Sequence, residues 1–423
     1  MTRRGGAPRA EARRVLMIVE NLPVPFDRRV WQEAKTLRAN GYGVSVICPK
    51  GRGYEAGHEV IDGIAVYRHP LPFEADGALG YVIEYGLATF FQFLLAWRVF
   101  LTRGFDVVHA CNPPDTIFIV GGFFKLLFGR RFIFDHHDLS PELYVAKRGG
   151  RRGPLYGALV FFERMTYRTA DVSIATNDSY RQVAIERAGM SPDRVYVVRS
   201  GPAMRHLEPR EPNPKVRRGR RHLVSYVGIM GAQDGVPLLL EAAREVVHGH
   251  GRDDVQFVLV GSGTEFPRIA QLTRELGLGE HVTLTGLLPP NSDELLDILA
   301  TADIGVSPDP PSEMNDKSTM NKTLEYMAHG MPLVQFDLTE GRVSAGDAAL
   351  YAEGARPDDL ARKILQLLDN ADLRESMGRI GRERIERLFS WERQEPELLA
   401  AYDHAFGAPA RRRQYVPEER AVE

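Results

Sequence analysis

Cysteine is nearly missing from this chain, with Cys48 and Cys111 the only two in 423 residues. A disulfide framework is thereby excluded, and because each thiol ends a strand-like run, both are expected as buried, reduced groups of a cytosolic protein. No His and Cys residues have the spacing of a zinc site, so no metal is expected. An excess of one charge is lacking too: 54 Lys and Arg against 56 Asp and Glu leave a net charge of -2, which argues against nucleic acid as the main partner. The N-terminal MTRRGGAPRAEARR is basic but has no apolar core of signal-peptide length, since residues 15–19 are too few and read as a strand. The GxGxxG fingerprint is absent from the first strand–helix turn, which weakens a nicotinamide-dependent reading.

What is present is a repeated alternation of strand and helix, in a chain whose 43% hydrophobic content suffices for two cores. Residues 15–19 form a strand, residues 28–37 have helical periodicity with Asp27 as cap and Gly41 as stop, and 44–48 form a second strand: the opening of a doubly wound sheet. Further strands are read at 105–110, 132–135, 171–176 and 195–199. A Pro- and Arg-rich stretch at 206–221 reads as a linker, and strands alternate with helices again from 222 to 350. The expected division is an arm at 1–13, a first domain at 14–205, a linker at 206–221, a second domain at 222–388, a terminal helix at 389–407 and a disordered tail from 408. Two apolar, basic-ended segments, 80–101 and 118–131, are expected as core helices, with docking on an anionic membrane as an additional reading; Glu84, Gln92 and Arg98 argue against spanning.

Two stretches concentrate chemistry. In the first, a strand at 302–307 and a loop at 308–316 lead into a helix capped by Ser318 or Thr319 that runs to Ala328. Its amino end, with Lys317 and Lys322 beside it, suits a phosphate, and Glu325 is placed to accept from a ribose; two solvated lysines on a capped helix fit equally well. In the second, a strand at 132–135 delivers His136, His137, Asp138 and Glu142 to its carboxyl end, where open α/β sheets place ligand groups.

Glu325 followed by Tyr-Met-Ala-His-Gly-Met-Pro-Leu-Val resembles the donor-site signature of the family 4 glycosyltransferases of the GT-B fold, and His137-Asp138-Leu139-Ser140-Pro141-Glu142 resembles their H-D-x-x-P-E stretch. The loop Pro23-Val24-Pro25-Phe26-Asp27-Arg28-Arg29 is similar to their first loop. The resemblance implies two Rossmann-like domains facing across a cleft, with a C-terminal helix crossing back to the first. It implies retaining transfer from a nucleotide-diphosphate sugar, UDP-linked as first choice, to a glycan or polyprenol-linked acceptor, without cofactor or metal. The reduced thiols suggest a cytoplasmic place, and the apolar, basic-ended segments of the first domain suggest the inner face of the plasma membrane, a polyprenol-linked acceptor and, within such a family, a role in polysaccharide or envelope glycan synthesis. Residue by residue, His137, with His136 as alternate, meets the transferred sugar, and Asp138 and Glu142 orient it or meet the acceptor. Glu325, Lys317, Asn321, Lys322 and the backbone of Gly228, Gly231 and Gly261 hold the donor, while Arg28 and Arg29 face its phosphates, face the acceptor, or make surface salt bridges. The chain departs from the pattern at Lys317, where relatives carry an acidic residue, at Thr319 to Lys322, which replace a Phe-Gly pair, and at Ile229 and Asp234, where relatives place Arg and Lys. Those departures keep two other readings open, a sugar-nucleotide epimerase of the same fold and a non-catalytic nucleotide-sugar binding subunit.

Overall fold

The apolar runs pair into two sheets, described by a computed structural model over residues 13–51, 53–70, 77–153, 155–290 and 292–409. The first contains β1 (Arg14–Ile18), β2 (Gly43–Pro49), β3 (His58–Ile61), β4 (Ile64–His69), β5 (Val107–Cys111), β6 (Arg131–His136), β7 (Val172–Ala175) and β8 (Val195–Val197). Their order is β3-β4-β2-β1-β5-β6-β7-β8, parallel except for the β3–β4 pair. The second contains β9 (His222–Val227), β10 (Val255–Val260), β11 (Val282–Gly286), β12 (Ile304–Ser307), β13 (Leu333–Phe336) and β14 (Ala349–Ala352), all parallel, in the order β11-β10-β9-β12-β13-β14. Central strands such as β5 and β10 are buried along their whole length, as strands covered by helices on both faces must be. In each sheet the winding reverses once, between β1 and β5 and between β9 and β12. The loops leaving those four strands therefore border the crevice where such sheets bind ligands.

Each sheet has a core on both faces. One face of the first sheet is covered by Val30, Ala34 and Leu37 of the helix Arg28–Ala39, the other by Ala96 and Val99 of the helix Gly77–Thr102 and Phe124 of the helix Phe118–Phe128. The long helix includes a segment, Ile83–Thr102, apolar and long enough to cross a membrane by length and composition, yet its inner side lies on the sheet. There Gln92 Nε2 donates to Glu20 Oε2 at 2.6 Å, and Phe93 and Trp97 meet the Phe123 ring edge to face at 4.9 and 5.6 Å. The expected core role thus holds for one side of this helix.

Three local features depart from the sequence reading. The β3–β4 hairpin was not anticipated, although Asp62-Gly63, both with positive φ (51° and 76°), is the dipeptide a tight two-residue turn requires. The loop after β12 contains a short helix, Glu313–Lys317, whose cap Ser312 accepts from Asn315 N–H at 3.1 Å. The next helix begins at Asn321, with Met320 in the cap position and no side-chain cap; Ser318 and Thr319 spend their hydroxyls on Met314 O and Glu340 instead. The expected arm and tail lie outside the described residues except for Arg13, Ala408 and Pro409.

The chain leaves the second sheet at Ser390 and returns to the first as the helix Trp391–Ala405. Trp391, Leu398, Ala401 and Tyr402 enter the core that holds Val30 and Leu37, and Trp391 Nε1 donates to Thr36 Oγ1 at 2.9 Å. Leu398 is fully buried in this core. Leu398→Ala is expected to lower the stability of the first domain by about 2–5 kcal/mol; urea denaturation checks this, and an unchanged midpoint contradicts the packing described.

Candidate active site

A buried carboxylate organises the first-domain side. Asp135, at the end of β6 and with no exposure, takes Arg29 Nη2 at 2.8 Å, Arg29 Nε at 3.2 Å and His137 Nε2 at 2.6 Å. Burial acts to raise its pKa, but Arg29 and then His137 overcome this and hold Asp135 well below the usual carboxylate range. The Arg29 guanidinium is completed by Val198 O at 2.7 Å, Ser200 Oγ at 3.1 Å and Glu33 at 3.2 Å. The main chain after the strand is held by Asn112 from the loop after β5, whose Oδ1 accepts the His137 N–H at 2.8 Å and whose Nδ2 donates to Asp138 O at 2.7 Å. His137 retains 12% side-chain exposure, so its ring stands at the crevice edge.

The second-domain side is built on the loops after β9 and β12. Gly235, at φ 65°, and Gly261, at φ 140°, bring backbone into contact that no Cβ would permit, with Pro308 O and Gly228 O respectively. Lys322 rises from the first turn of the helix Asn321–Ala328 beneath the Gly228 turn. It binds both oxygens of Asp309 at 2.7 and 2.8 Å, 5.3 Å from the centre of the Tyr226 ring. Asn321 at that helix start is exposed, and Glu325 one turn on retains 14% exposure.

The two sides meet through adjacent residues. Arg28, at the start of the helix Arg28–Ala39, forms an ion pair with Glu325, while its neighbour Arg29 holds His137. Beside this contact Asn177 Nδ2 donates to Lys317 O at 2.8 Å, and Glu340 Oε1 accepts from Ser179 Oγ at 2.6 Å. His137 and Glu325, selected from separate parts of the sequence, therefore stand on either side of one helical turn.

Comparison with known proteins places the two domains in a family. Residues 27–201 match the family described as glycosyl transferase 4-like domain, and residues 221–370 match glycosyl transferases group 1. The chain belongs to the family 4 glycosyltransferases. Alpha-D-kanosaminyltransferase of Streptomyces kanamyceticus is 30% identical over 159 residues, 37% of this chain and 39% of that enzyme, so the chain spans about two fifths of this curated relative. Among solved structures, sucrose-phosphate synthase of Thermosynechococcus elongatus superposes with a TM-score of 0.73 at 19% identity, over 93% of this chain and 99% of that one. Anabaena HepE in complex with UDP-glucose superposes with a TM-score of 0.68 at 14% identity, over 92% and 99%. Both share the GT-B fold with this chain.

Against the family 4 pattern, several expected ligands are already engaged. Arg29 is buried and saturated, so it faces neither donor phosphate nor acceptor. Lys322 is neutralised by Asp309, and Lys317 pairs with Glu313 at 2.9 Å along its own helix. The N–H groups of Gly228, Gly231 and Gly261 are bound to Val260 O, Asp234 Oδ2 and Gly286 O at 3.0, 2.9 and 3.0 Å, which removes them as free phosphate donors. Glu142 is buried against Arg187 and does not reach an acceptor. Asp138 stays half-exposed, accepts from Asn21 Nδ2 at 3.2 Å and is raised by burial. His136 is sealed in the core with Nδ1 2.6 Å from Tyr167 OH, its pKa pushed down to about 3 by burial and then by Arg187, which leaves His137 as the crevice histidine. Arg342 makes a surface pair with Asp337, whereas Glu340 is buried at the seam with Ser179 and Arg199.

Asp135, Asn112, Asp309 and Arg199 are site-forming residues that the sequence reading did not select; Asp135 had a signal, an acid ending a buried strand directly before two histidines. His109, Cys111 and Asp135 bring ligand-type atoms within 4.8 Å of one another, but Arg29 already supplies the positive charge at Asp135, and burial raises the Cys111 thiol far above its ordinary value. That donor set does not suit a cation.

Removing one partner of a buried ion pair leaves the other uncompensated. Lys322→Met is therefore expected to destabilise the second domain by about 3–5 kcal/mol, and adding Asp309→Leu to restore most of the loss. Denaturation of the two single variants and the double variant tests this, and additive losses in the double variant contradict it.

Proposed function

We propose that the protein is a retaining glycosyltransferase that moves a sugar from a nucleotide diphosphate, UDP first among the candidates, to an acceptor hydroxyl in the crevice. The observation that carries this reading is the Arg28–Arg29 step, which joins Glu325 at the open helix end to His137 at the β6 exit. The fold's ability to hold such a donor is supported by HepE, whose structure contains UDP-glucose. In this reading the ribose takes the Glu325 carboxylate, and Arg28, 48% exposed and released from it, turns to the diphosphate. The amino end at Asn321 adds its dipole. These charges stabilise the departing diphosphate, whose oxygen takes the acceptor's proton on the same face of the sugar, so no protein nucleophile is required. No metal is required either, and excess EDTA is expected to leave turnover unchanged.

Glu325→Ala is expected to weaken donor binding by roughly ten- to a hundredfold, the worth of hydrogen bonds to a charged group. His137→Ala is expected to lower kcat by a comparable factor with donor affinity retained. Isothermal titration and initial rates with UDP, GDP and dTDP sugars check both. Donor binding as in the wild type in Glu325→Ala, or full turnover in His137→Ala, contradicts the assignment. Epimerised donor without transfer would point to an epimerase, and binding without turnover to a non-catalytic subunit.

The acceptor proposed is a polyprenol-linked glycan at the inner face of an anionic membrane, in polysaccharide or envelope glycan synthesis. Its support is the outer face of the helices that cover the first sheet. Phe90, Leu94 and Leu101 project from one helix, and Leu126 and Leu127, 83% and 64% exposed, from the next. Arginines are exposed on the same and following elements: Arg98 and Arg103 on the first helix and its exit, Arg131 at the start of β6, and Arg164 and Arg168 on the helix Leu155–Thr169. Exposed apolar side chains together with arginines fit acyl chains beneath anionic headgroups. Co-sedimentation with vesicles containing phosphatidylglycerol is expected and should fall at least about tenfold in Leu126→Glu/Leu127→Glu, two buried side chains' worth of apolar transfer; equal binding to phosphatidylcholine vesicles contradicts the electrostatic part.

A further inference from the structure

The crossover helix reaches the crevice through a line of buried polar groups. Tyr402, fully buried on that helix, has its hydroxyl 2.7 Å from His109 Nδ1. The other ring nitrogen, Nε2, lies 3.4 Å from Asp135 Oδ2 and 3.5 Å from Glu33 Oε2. The same Asp135 oxygen is 2.6 Å from His137 Nε2.

An imidazole nitrogen that faces an anionic carboxylate carries its proton there. His109 is therefore protonated at Nε2, its Nδ1 is an acceptor, and the Tyr402 hydroxyl donates to it. By the same logic His137 donates from Nε2 to Asp135 Oδ2 at 2.6 Å, and Arg29 Nε, 2.9 Å from that nitrogen, gives its N–H to the same carboxylate oxygen at 3.2 Å. The His137 Nδ1, which has no protein partner among the described residues, is left with a lone pair.

The groups packed around this line hold fixed protonation states. Arg29 is a permanent cation. Burial, then the charge of Asp135, keeps the proton on Glu33 and on Cys111, and burial, followed by smaller contributions from the acidic groups around it, keeps it on Tyr402. His136 is held neutral, and Asp138, beyond His137, is raised by burial.

We propose that Tyr402 and His109 are positioning residues for His137. By fixing His109 as an Nε2–H donor they share Asp135 with His137, and so keep that ring oriented with Nδ1 toward a hydroxyl of the bound substrate. This rests on the reading of His137 as the histidine that meets the sugar. When the Tyr402 hydroxyl is lost, the His109 proton is free to move to Nδ1. Asp135 then loses a donor, and the carboxylate that anchors the His137 ring is less firmly held.

The test uses the full chain labelled with 15N-histidine, comparing the wild type with Tyr402→Phe and Tyr196→Phe. Tyr196 is the control because its hydroxyl contacts His404 of the same helix at 3.0 Å, away from Asp135. In the wild type both His109 and His137 should be protonated at Nε2. In Tyr402→Phe the His109 resonances should shift toward the Nδ1–H form, and kcat at neutral pH should fall roughly two- to tenfold, the worth of one hydrogen bond, with donor KM unchanged. Tyr196→Phe should leave both as in the wild type. The proposal is overturned by a wild-type His109 protonated at Nδ1, by an unaltered spectrum or kcat in Tyr402→Phe, or by an equal shift in Tyr196→Phe. Should the tautomer change as expected while His137→Ala turns over normally, the hydrogen-bonded line stands and the assignment of His137 falls.

Discussion

A carboxylate with no access to water must be neutralised by the protein around it, and at Asp135 this falls to Arg29. Everything on the first-domain side follows from that pair. Arg29 anchors the first turn of its helix to the end of β6, and the anchoring fixes where Arg28, one residue earlier, emerges toward Glu325. Because the pair is tied also to Val198 O, it joins three strand exits of the same sheet. Lysine cannot replace Arg29 here, since one guanidinium serves a carboxylate, a carbonyl and a hydroxyl together.

The second domain meets the same constraint with different residues. Asp309 is neutralised by Lys322, and nearby Asp234 is raised to about 6, by burial first and against the lowering effect of Lys322. Two carboxyl groups thus share one ammonium in the region where family relatives place an Arg and a Lys. In the proposed function, positive charge for a diphosphate comes from across the crevice, through Arg28. The donor site in this reading is therefore shared between domains, and it is complete only while the seam at Glu340, Ser179 and Arg199 keeps them together.

The sheets were legible in the sequence because buried parallel strands are short, continuous apolar runs, and those at residues 15–19, 44–48 and 222–227 needed no tertiary information. His137 and Glu325 were legible for a related reason, since a strand end and a helix start place them by local rules. What local rules do not reveal is occupancy. Lys322, Arg29 and Glu142 read as available charges, and only the fold shows that Asp309, Asp135 and Arg187 already hold them. The same holds for the glycine turns after β9 and β10, whose N–H groups look free in one dimension and are taken by Val260, Asp234 and Gly286 in three. The Glu313–Lys317 helix escaped because a turn-forming composition masks so short an element.

The return of the chain to its starting sheet has a consequence for biosynthesis. Thr36 and Trp391, 355 positions apart, share a hydrogen bond inside one core. While translation is under way, the first sheet emerges with a groove awaiting Trp391, Leu398 and Tyr402, and the second domain is made before that groove is filled. Until the helix Trp391–Ala405 has been made, the nascent first domain exposes this apolar surface, and its core closes only once that helix is available.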